Sequence, residues 1–423
     1  TYETYAIDIN DCVNQGPDIT ITSLTVPTAD AGSGGDECDL DFDLNAVPSI
    51  GVGTWTYVGP GIAAFAPNAN DANATVTVDT YGSYNFTWTE NNTGCVDQDM
   101  ITVNFYENPV ANAGSGGDEC DLDFDLNATP SVGTGTWTYT GPGLAGFAPN
   151  ANAANATVTV DTYGSYDFTW TEDNSGCTDA DLITVNFYEQ PIADAGAGGS
   201  VCGFAFGLGA NASVGTGTWS YTGPGLVSFA PDANDANAVA TADTYGSYTF
   251  TWTEVNGTCS DADNVVVNYL ETPIADAGSG GDECDLDFVL NATPSVGTGT
   301  WTYVGPGIAA FAPNVNAANA TVTVDTYGSY TFTWTEVNGI CSDNDNVVVN
   351  FNENPIADAG IGGDECDLDF VLNATPSVGT GTWTYTGPGL AAFAPNANTA
   401  NATVTVDTYG SYDFTWTEDN SGC

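Results

Sequence analysis

The stretch DTYGSYNFTWTE at residues 79–90 decides the fold, because apolar and polar residues alternate along it. A period of two is typical of a β-strand with one buried face. Tyr84, Phe86 and Trp88 share that face. The stretch therefore predicts a strand that carries three large aromatic side chains into a core.

Closely similar stretches return at intervals of 82 residues along the 423-residue chain. The same spacing separates Pro27, Pro109, Pro191, Pro273 and Pro355, and also Trp55, Trp137, Trp219, Trp301 and Trp383. A repeat of this length is too long for a solenoid and suits a small domain. The predicted domains are 1–26 (the C-terminal part of a preceding sandwich), 27–108, 109–190, 191–272, 273–354 and 355–423, the last without its final strand.

Each repeat contains several further short alternating runs. In CDLDFDLN at 38–45, Leu40, Phe42 and Leu44 share one face and aspartates occupy the other. Further predicted strands of the first repeat lie at 53–61, 74–80, 83–90 and 100–107, with a short segment at 27–31 and a less regular one at 62–68. The total is about seven strands, and no stretch shows a helical period.

Seven short strands with frequent turns favour a two-sheet sandwich of immunoglobulin type. Gly82 followed by Tyr84 matches the tyrosine corner of such sandwiches, and Trp55 suits the buried core tryptophan. We therefore predict an all-β fold, a tandem array of seven-stranded Ig-like β-sandwich domains.

The charge composition excludes most functional classes. The chain has no Lys, Arg or His and 55 Asp plus Glu, for a formal net charge of -55. Imidazole bases, lysine nucleophiles and arginine clamps are therefore absent, so we expect no enzyme activity. Nucleic acid is not an expected partner, because phosphate binding depends on basic side chains. No apolar run is long enough for a membrane span, so direct membrane insertion is not expected.

Several motifs together resemble a known family. NPVANAG at 108–114, GTWTYTGPG at 135–143, YGSYDFTW at 163–170 and SGC at 175–177 are similar to the PKD-type or Ig-like repeats of giant Bacteroidota surface proteins. Gliding-motility adhesins of the SprB type and related type 9 secreted proteins carry such arrays. The resemblance implies PKD-like domains in an extracellular adhesin or stalk at the cell surface.

Eleven cysteines indicate disulfides and an oxidising compartment, two per repeat, with Cys12 in the leading piece. The simplest pairing is within a repeat: Cys38–Cys95, Cys120–Cys177, Cys202–Cys259, Cys284–Cys341 and Cys366–Cys423. We expect this pairing, but topology raises an objection, because the two cysteines of one sandwich would lie at opposite ends. A second, staggered pairing that joins Cys38 to Cys177 of the next repeat therefore stays open. Cys95–Cys120 is a third possibility.

The acidic residues predict calcium at the junctions between repeats, since Ca²⁺ prefers carboxylate and amide oxygens. The predicted ligands are Asp36, Glu37, Glu107, Asn112, Asp179 and Asp181 at the first junction, and Asp118, Glu119, Glu189, Asp194, Asp261 and Asp263 at the second. A carboxylate-covered surface is equally explained by solubility alone. The third repeat, which reads GSVCGFAFGLGA at 199–210, lacks several of these acids.

Three functions are compatible with these features. The first is a stalk segment of a long extracellular adhesin or filament, which contacts its neighbouring repeats and reaches surfaces or glycans through regions outside this window. The second is a glycan-binding β-sandwich module, which would need exposed aromatic platforms. The third is a glycosidase that uses two carboxylates. The inward spacing of the aromatics and the absent catalytic groups favour the stalk.

Overall fold

A computed structural model of the chain describes residues 5–7, 13–15 and 20–423. Cys12 and most of the predicted leading piece lie outside the described residues. Two short strands there, β1 (Tyr5–Ile7) and β2 (Val13–Gln15), pair antiparallel. The described part is all-β, which confirms the predicted tandem array of Ig-like sandwiches. Within it, no helix is long and apolar enough to cross a membrane.

The first repeat contains seven strands that form two sheets. They are β3 (Gly35–Glu37), β4 (Asp41–Asp43), β5 (Val52–Val58), β6 (Ala63–Ala66), β7 (Thr75–Val78), β8 (Gly82–Asn92) and β9 (Cys95–Phe105). One sheet has the order β3-β9-β8-β5 and the other β4-β7-β6. Strand β3 runs parallel to β9, with Glu37 opposite Phe105, and the other pairs are antiparallel.

The same seven strands return in the second, third and fourth repeats, and five of them are described in the fifth. The second repeat has β10 (Gly117–Glu119), β11 (Asp123–Asp125), β12 (Thr134–Thr140), β13 (Ala145–Ala148), β14 (Thr157–Val160), β15 (Gly164–Asn174) and β16 (Cys177–Phe187). The third has β17 (Gly199–Cys202), β18 (Ala205–Gly207), β19 (Thr216–Thr222), β20 (Val227–Ala230), β21 (Val239–Ala242), β22 (Gly246–Asn256) and β23 (Cys259–Leu270). The fourth has β24 (Gly281–Glu283), β25 (Asp287–Val289), β26 (Thr298–Val304), β27 (Ala309–Ala312), β28 (Thr321–Val324), β29 (Gly328–Asn338) and β30 (Cys341–Phe351). The fifth has β31 (Asp369–Val371), β32 (Thr380–Thr386), β33 (Ala391–Ala394), β34 (Thr403–Val406) and β35 (Asp413–Asp419).

The described chain divides into two compact units. One consists of Thr1–Pro191 with Val255–Ser260, so it holds the first two repeats and the hairpin turn of the third. The other consists of Ile192–Glu254 with Asp261–Cys423, and it holds the rest of the third repeat and the last two.

The beginning of each repeat differs from the sequence prediction. The segment 27–31 forms no strand. Of the predicted strand 38–45, only β4 (Asp41–Asp43) is a strand, and a bend at 38–40 separates it from β3 (Gly35–Glu37), which belongs to the other sheet. Instead of a ladder, the backbone N–H groups of Ala29 and Ala31 each donate to a carboxylate at 2.9 Å. The acceptors are Asp97 and Asp99 on β9, so side chains replace the backbone partners that the alternation suggested.

The core of each repeat is aromatic, as the sequence predicts. In the first repeat Trp55 and Trp88 lie with their ring centroids 5.2 Å apart, and Tyr84 stacks on Phe86 at 5.9 Å. These four side chains are at most 2% exposed. All ten tryptophans of the chain are buried in the same way. Burial of such large side chains supplies most of the stabilisation of each sandwich.

The tyrosine corner predicted at Tyr84 is present. Its hydroxyl donates to the Thr80 carbonyl at 3.0 Å and accepts from the Gly61 N–H at 3.0 Å. We expect Tyr84→Phe to lower the free energy of unfolding of the first repeat by about 2 kcal/mol, because the Thr80 carbonyl and the Gly61 N–H lose their partner in two part-buried hydrogen bonds. Hydrogen exchange resolved by peptide would measure this, with Tyr81→Phe as the exposed control. Equal exchange rates in both variants would contradict a structural role for the corner.

Candidate functional site at the repeat junctions

Four disulfides join consecutive repeats, and each spans 139 positions. They are Cys38–Cys177, Cys120–Cys259, Cys202–Cys341 and Cys284–Cys423. The staggered alternative is therefore the one found, and the simpler pairing within a repeat is wrong. Among the residues that the structure describes, Cys95 and Cys366 are unpaired.

Strand direction explains why the pairing within a repeat fails. Cys38 directly follows the Glu37 and Phe105 pair, where β9 ends, whereas Cys95 is the first residue of β9. Eleven residues at the rise of a strand separate these two ends by about 33 Å. A disulfide requires Cα atoms within about 7 Å of each other. The Cα atoms of Cys38 and Cys177 are 5.4 Å apart.

A hydrogen bond accompanies each disulfide. The Asn174 side chain, at the hairpin turn of the second repeat, donates from Nδ2 to the Glu107 carbonyl at 2.8 Å. Asn256 donates to the Glu189 carbonyl in the same way. In the second compact unit, Asn338 and Asn420 donate to the carbonyls of Glu271 and Glu353, again at 2.8 Å. Each hairpin turn is thus bound to the chain segment that leads into its own repeat.

Close packing completes two of these junctions. Gly257, at φ +63°, lies against the ring of Tyr188, where a Cβ atom would come within 2.5 Å of the ring carbons. Gly339, also at φ +63°, faces Leu270, and a Cβ there would lie 2.6 Å from Cδ1. Both glycines combine a left-handed backbone with a close approach, which other residues tolerate poorly. The end of one repeat therefore packs directly on the hairpin of the next.

Four of the aspartates predicted as calcium ligands accept hydrogen bonds from backbone N–H groups of their own repeat. Asp179 and Asp181 accept hydrogen bonds from the N–H groups of Ala111 and Ala113 at 2.8 and 2.9 Å. In the third repeat, Asp261 and Asp263 bind Ala193 and Ala195 at 2.9 and 3.0 Å. These carboxylates hold the first segment of their own repeat against its last strand.

The other predicted ligands are dispersed among separate hydrogen bonds. Asp36 and Asp118 accept from Asn104 and Asn186, and the Asn112 side chain accepts from the Gly114 N–H. Asp194 accepts from Asn211 and Gly196, which lowers the pKa of its carboxyl group. Glu37, Glu107, Glu119 and Glu189 contribute main-chain carbonyls.

No metal cluster results from this arrangement. Within the described residues, no three Asp, Glu, His or Cys side chains come close enough together to hold a metal ion. The structure therefore does not assemble the predicted ligands into a site, and calcium binding stays a prediction.

A buried glutamate in each repeat escaped the sequence analysis. Glu172, only 1% exposed, accepts from the Ser131 hydroxyl, from the Ser131 N–H at 3.0 Å and from Trp170 Nε1 at 2.9 Å. Burial raises the pKa of Glu172, but the hydrogen bonds outweigh it and hold the pKa below its ordinary value. Glu90, Glu254, Glu336 and Glu418 repeat the arrangement. The sequence feature that could have revealed this glutamate is the TWTE motif, whose Glu is kept in the third repeat, where other acidic residues are lost.

These features define the class of protein as a tandem array of Ig-like β-sandwiches with disulfide-linked neighbours. No protein-family model matches the chain, and no curated protein matches it. Among solved structures, titin domains I67–I69 are 13% identical, covering 57% of this chain and 98% of that chain, with a TM-score of 0.35. Sidekick-1 immunoglobulin domains 1–5 are 12% identical, covering 91% and 92%, with a TM-score of 0.27. Drosophila OTK extracellular domains 3–5 are 12% identical, covering 58% and 96%, with a TM-score of 0.29. At these identities the likeness concerns the fold alone.

Proposed function

We propose that the chain is a structural stalk segment of a long extracellular cell-surface adhesin or filament that mediates attachment or gliding motility. The observation that carries this proposal is the set of staggered disulfides, since each one links a repeat covalently to its neighbour. A chain of independent binding modules does not need covalent links between its domains, whereas a stalk that transmits mechanical load does need them.

The redox requirement supports an extracellular location. Disulfides form and persist outside the reducing cytosol. Every second cysteine of the described repeats depends on the following repeat for its partner, so the array needs oxidation during or after export. The resemblance of the motifs to Bacteroidota surface repeats favours export by a type 9 system.

The surface chemistry is consistent with an exposed stalk. The chain offers no Lys or Arg to trypsin-like proteases, and its net charge of -55 makes copies of it repel one another. The partners in this proposal are the neighbouring repeats, while surfaces or glycans are bound by regions outside this window. No nucleic acid or membrane contact is part of the proposal, and neither is catalysis.

The burial of the aromatics weighs against the glycan-binding alternative. Sugar platforms in β-sandwiches require exposed aromatic faces, and all ten tryptophans are buried. Of the aromatic side chains that the structure describes, Tyr81, Tyr163, Phe204 and Tyr327 are 37 to 38% exposed, and Tyr409 alone reaches 71%. No observation on the described repeats favours this second function.

Immunogold labelling of intact producing cells tests the stalk proposal. Antibodies raised against the repeats should decorate fibres that extend away from the cell surface. Brief protease treatment of whole cells should remove the label. Labelling that appears only after the cells are permeabilised would overturn the proposal.

A further inference from the structure

We infer that the interleaved disulfides limit the extension of the array under tension to about a third of the stretched length of its backbone. This inference rests on the proposed stalk function and adds a mechanical property to it. It follows from which cysteines are joined, and from the strands that lie between them.

The first compact unit shows how the disulfides shorten the covalent path. From Cys95 the chain passes through about 25 residues to Cys120, and the Cys120–Cys259 disulfide then leads directly into the third repeat. The stretched length of this path is about 90 Å, at about 3.5 Å per residue. Along the backbone alone, Cys95 and Cys259 are separated by two full repeats, or about 570 Å when stretched.

Most of the short path is already extended in the folded protein. Of the residues between Cys95 and Cys120, eleven lie in β9 and three in β10. A strand rises about 3.3 Å per residue, which is close to the limit of a stretched chain. Unfolding these repeats would therefore add little length to this path.

The disulfides also place the load along strands. Cys177 is the first residue of β16, and Cys120 follows β10, which runs parallel to β16 with Glu119 opposite Phe187. Tension applied through Cys38–Cys177 at one end and Cys120–Cys259 at the other pulls β16 and β10 in opposite directions along their length. The hydrogen bonds between them are then loaded together and not one after another.

The arrangement is redundant, because each disulfide overlaps the next. Cys120 lies within the span closed by Cys38–Cys177, and Cys284 lies within the span closed by Cys202–Cys341. If one disulfide is lost, the neighbouring disulfides therefore still provide a short covalent path along the array. The shortest path between the ends of the chain contains about 120 residues, or about 420 Å when stretched.

Single-molecule pulling of the full chain by its two ends tests the inference. Cys12, Cys95 and Cys366 are replaced by serine in every sample to prevent mispairing. The oxidised chain should reach a contour length of about 420 Å and no more, at about 3.5 Å per residue. After reduction, the same molecule should reach about 1,480 Å and release about 290 Å for each full repeat that unfolds.

A pair of variants separates redundancy from simple cross-linking. Cys120→Ser with Cys259→Ser should leave the oxidised contour length unchanged, because the other three disulfides keep a path of the same length. Serine at all eight paired cysteines should give the reduced behaviour without a reductant. Increments of about 290 Å in the oxidised chain would overturn the inference. Failure of surface labelling with an intact 420 Å limit would reject the stalk function and leave the disulfide-limited extension standing.

Discussion

Replacing Glu336 by glutamine should lower the free energy of unfolding of the fourth repeat by about 3 kcal/mol. Glu336 is 1% exposed and accepts from the Ser295 hydroxyl, the Ser295 N–H at 3.0 Å and Trp334 Nε1 at 2.9 Å. Glutamine keeps the shape but turns an N–H₂ group toward these donors. At least one buried donor then has no acceptor, which costs more than the lost bond itself.

Hydrogen exchange of the fourth-repeat peptides in the full chain would measure this loss. Glu271→Gln is the matched control, since its carboxylate is exposed and the chemical change is identical. The control should exchange like the parent chain. Similar acceleration in both variants would show that the effect comes from lost negative charge and not from the buried hydrogen bonds.

The same carboxylates predict destabilisation by acid. Burial raises the pKa of Glu336, but hydrogen bonds from Ser295, Trp334 and Val296 outweigh it and lower the pKa below the ordinary value of 4.5. A group whose folded pKa is lowered stabilises the protein above its unfolded pKa, and this contribution is lost as the pH falls through the folded pKa. Unfolding of the fourth repeat should therefore accelerate below about pH 4.5, and Glu336→Gln should flatten that dependence.

Protonation of the many surface carboxylates acts in the opposite direction, because it relieves repulsion within a chain of net charge -55. Hydrogen exchange of the fourth-repeat peptides is therefore compared between Glu336→Gln and Glu271→Gln across the same pH range, which removes this common contribution. The two curves of unfolding free energy against pH should converge at low pH. Parallel curves would contradict a lowered pKa at Glu336.

The second large effect is expected at Gly280, where β24 approaches β30. A Cβ atom there would lie 1.8 Å from the Val348 carbonyl oxygen and 2.8 Å from its carbon. These are backbone atoms of a central strand, so they cannot move aside as a flexible side chain would. Gly280→Ala should lower the free energy of unfolding of the fourth repeat by about 3 kcal/mol and detach β24 from β30.

The adjacent residue supplies the control for this substitution. A Cβ on Gly281 would meet nothing within 4 Å, although Gly281 pairs with Val349 in the same strand. Exchange of the β24 and β30 amides should rise in Gly280→Ala and stay unchanged in Gly281→Ala. Because β24 leads to Cys284, oxidation of Gly280→Ala should also yield less of the Cys284–Cys423 disulfide. Equal behaviour of the two variants would exclude the steric cause.

The alternation of apolar and polar residues was sufficient to predict the core of the sandwich. Tyr84, Phe86 and Trp88 had to face one side of a strand, since the period of two is a local property of the extended backbone. Their burial at 0 to 1% exposure agrees with that prediction. The repeat length could be predicted because self-similarity is a property of the sequence itself, and the tyrosine corner could be predicted because Tyr84 and Thr80 are close in sequence.

The hydrogen-bond partners of the polar residues could not be predicted from the sequence in this way. Asp179 was predicted as a calcium ligand, and in the structure it accepts a hydrogen bond from the N–H of Ala111, which is 68 positions away. Glu172 continues the buried face of the strand after Trp170, yet its partner Ser131 comes from 41 positions away. Such contacts depend on which segments the sandwich brings together.

The sequence by itself determined the repeat, the strands, the aromatic core and the need for an oxidising environment. Only the tertiary structure decided which cysteines are joined. Cysteine positions do not state at which end of a sandwich each residue lies, and eleven residues of β9 separate the two ends by about 33 Å. That distance forbids the nearer partner in sequence and leaves the one 139 positions away.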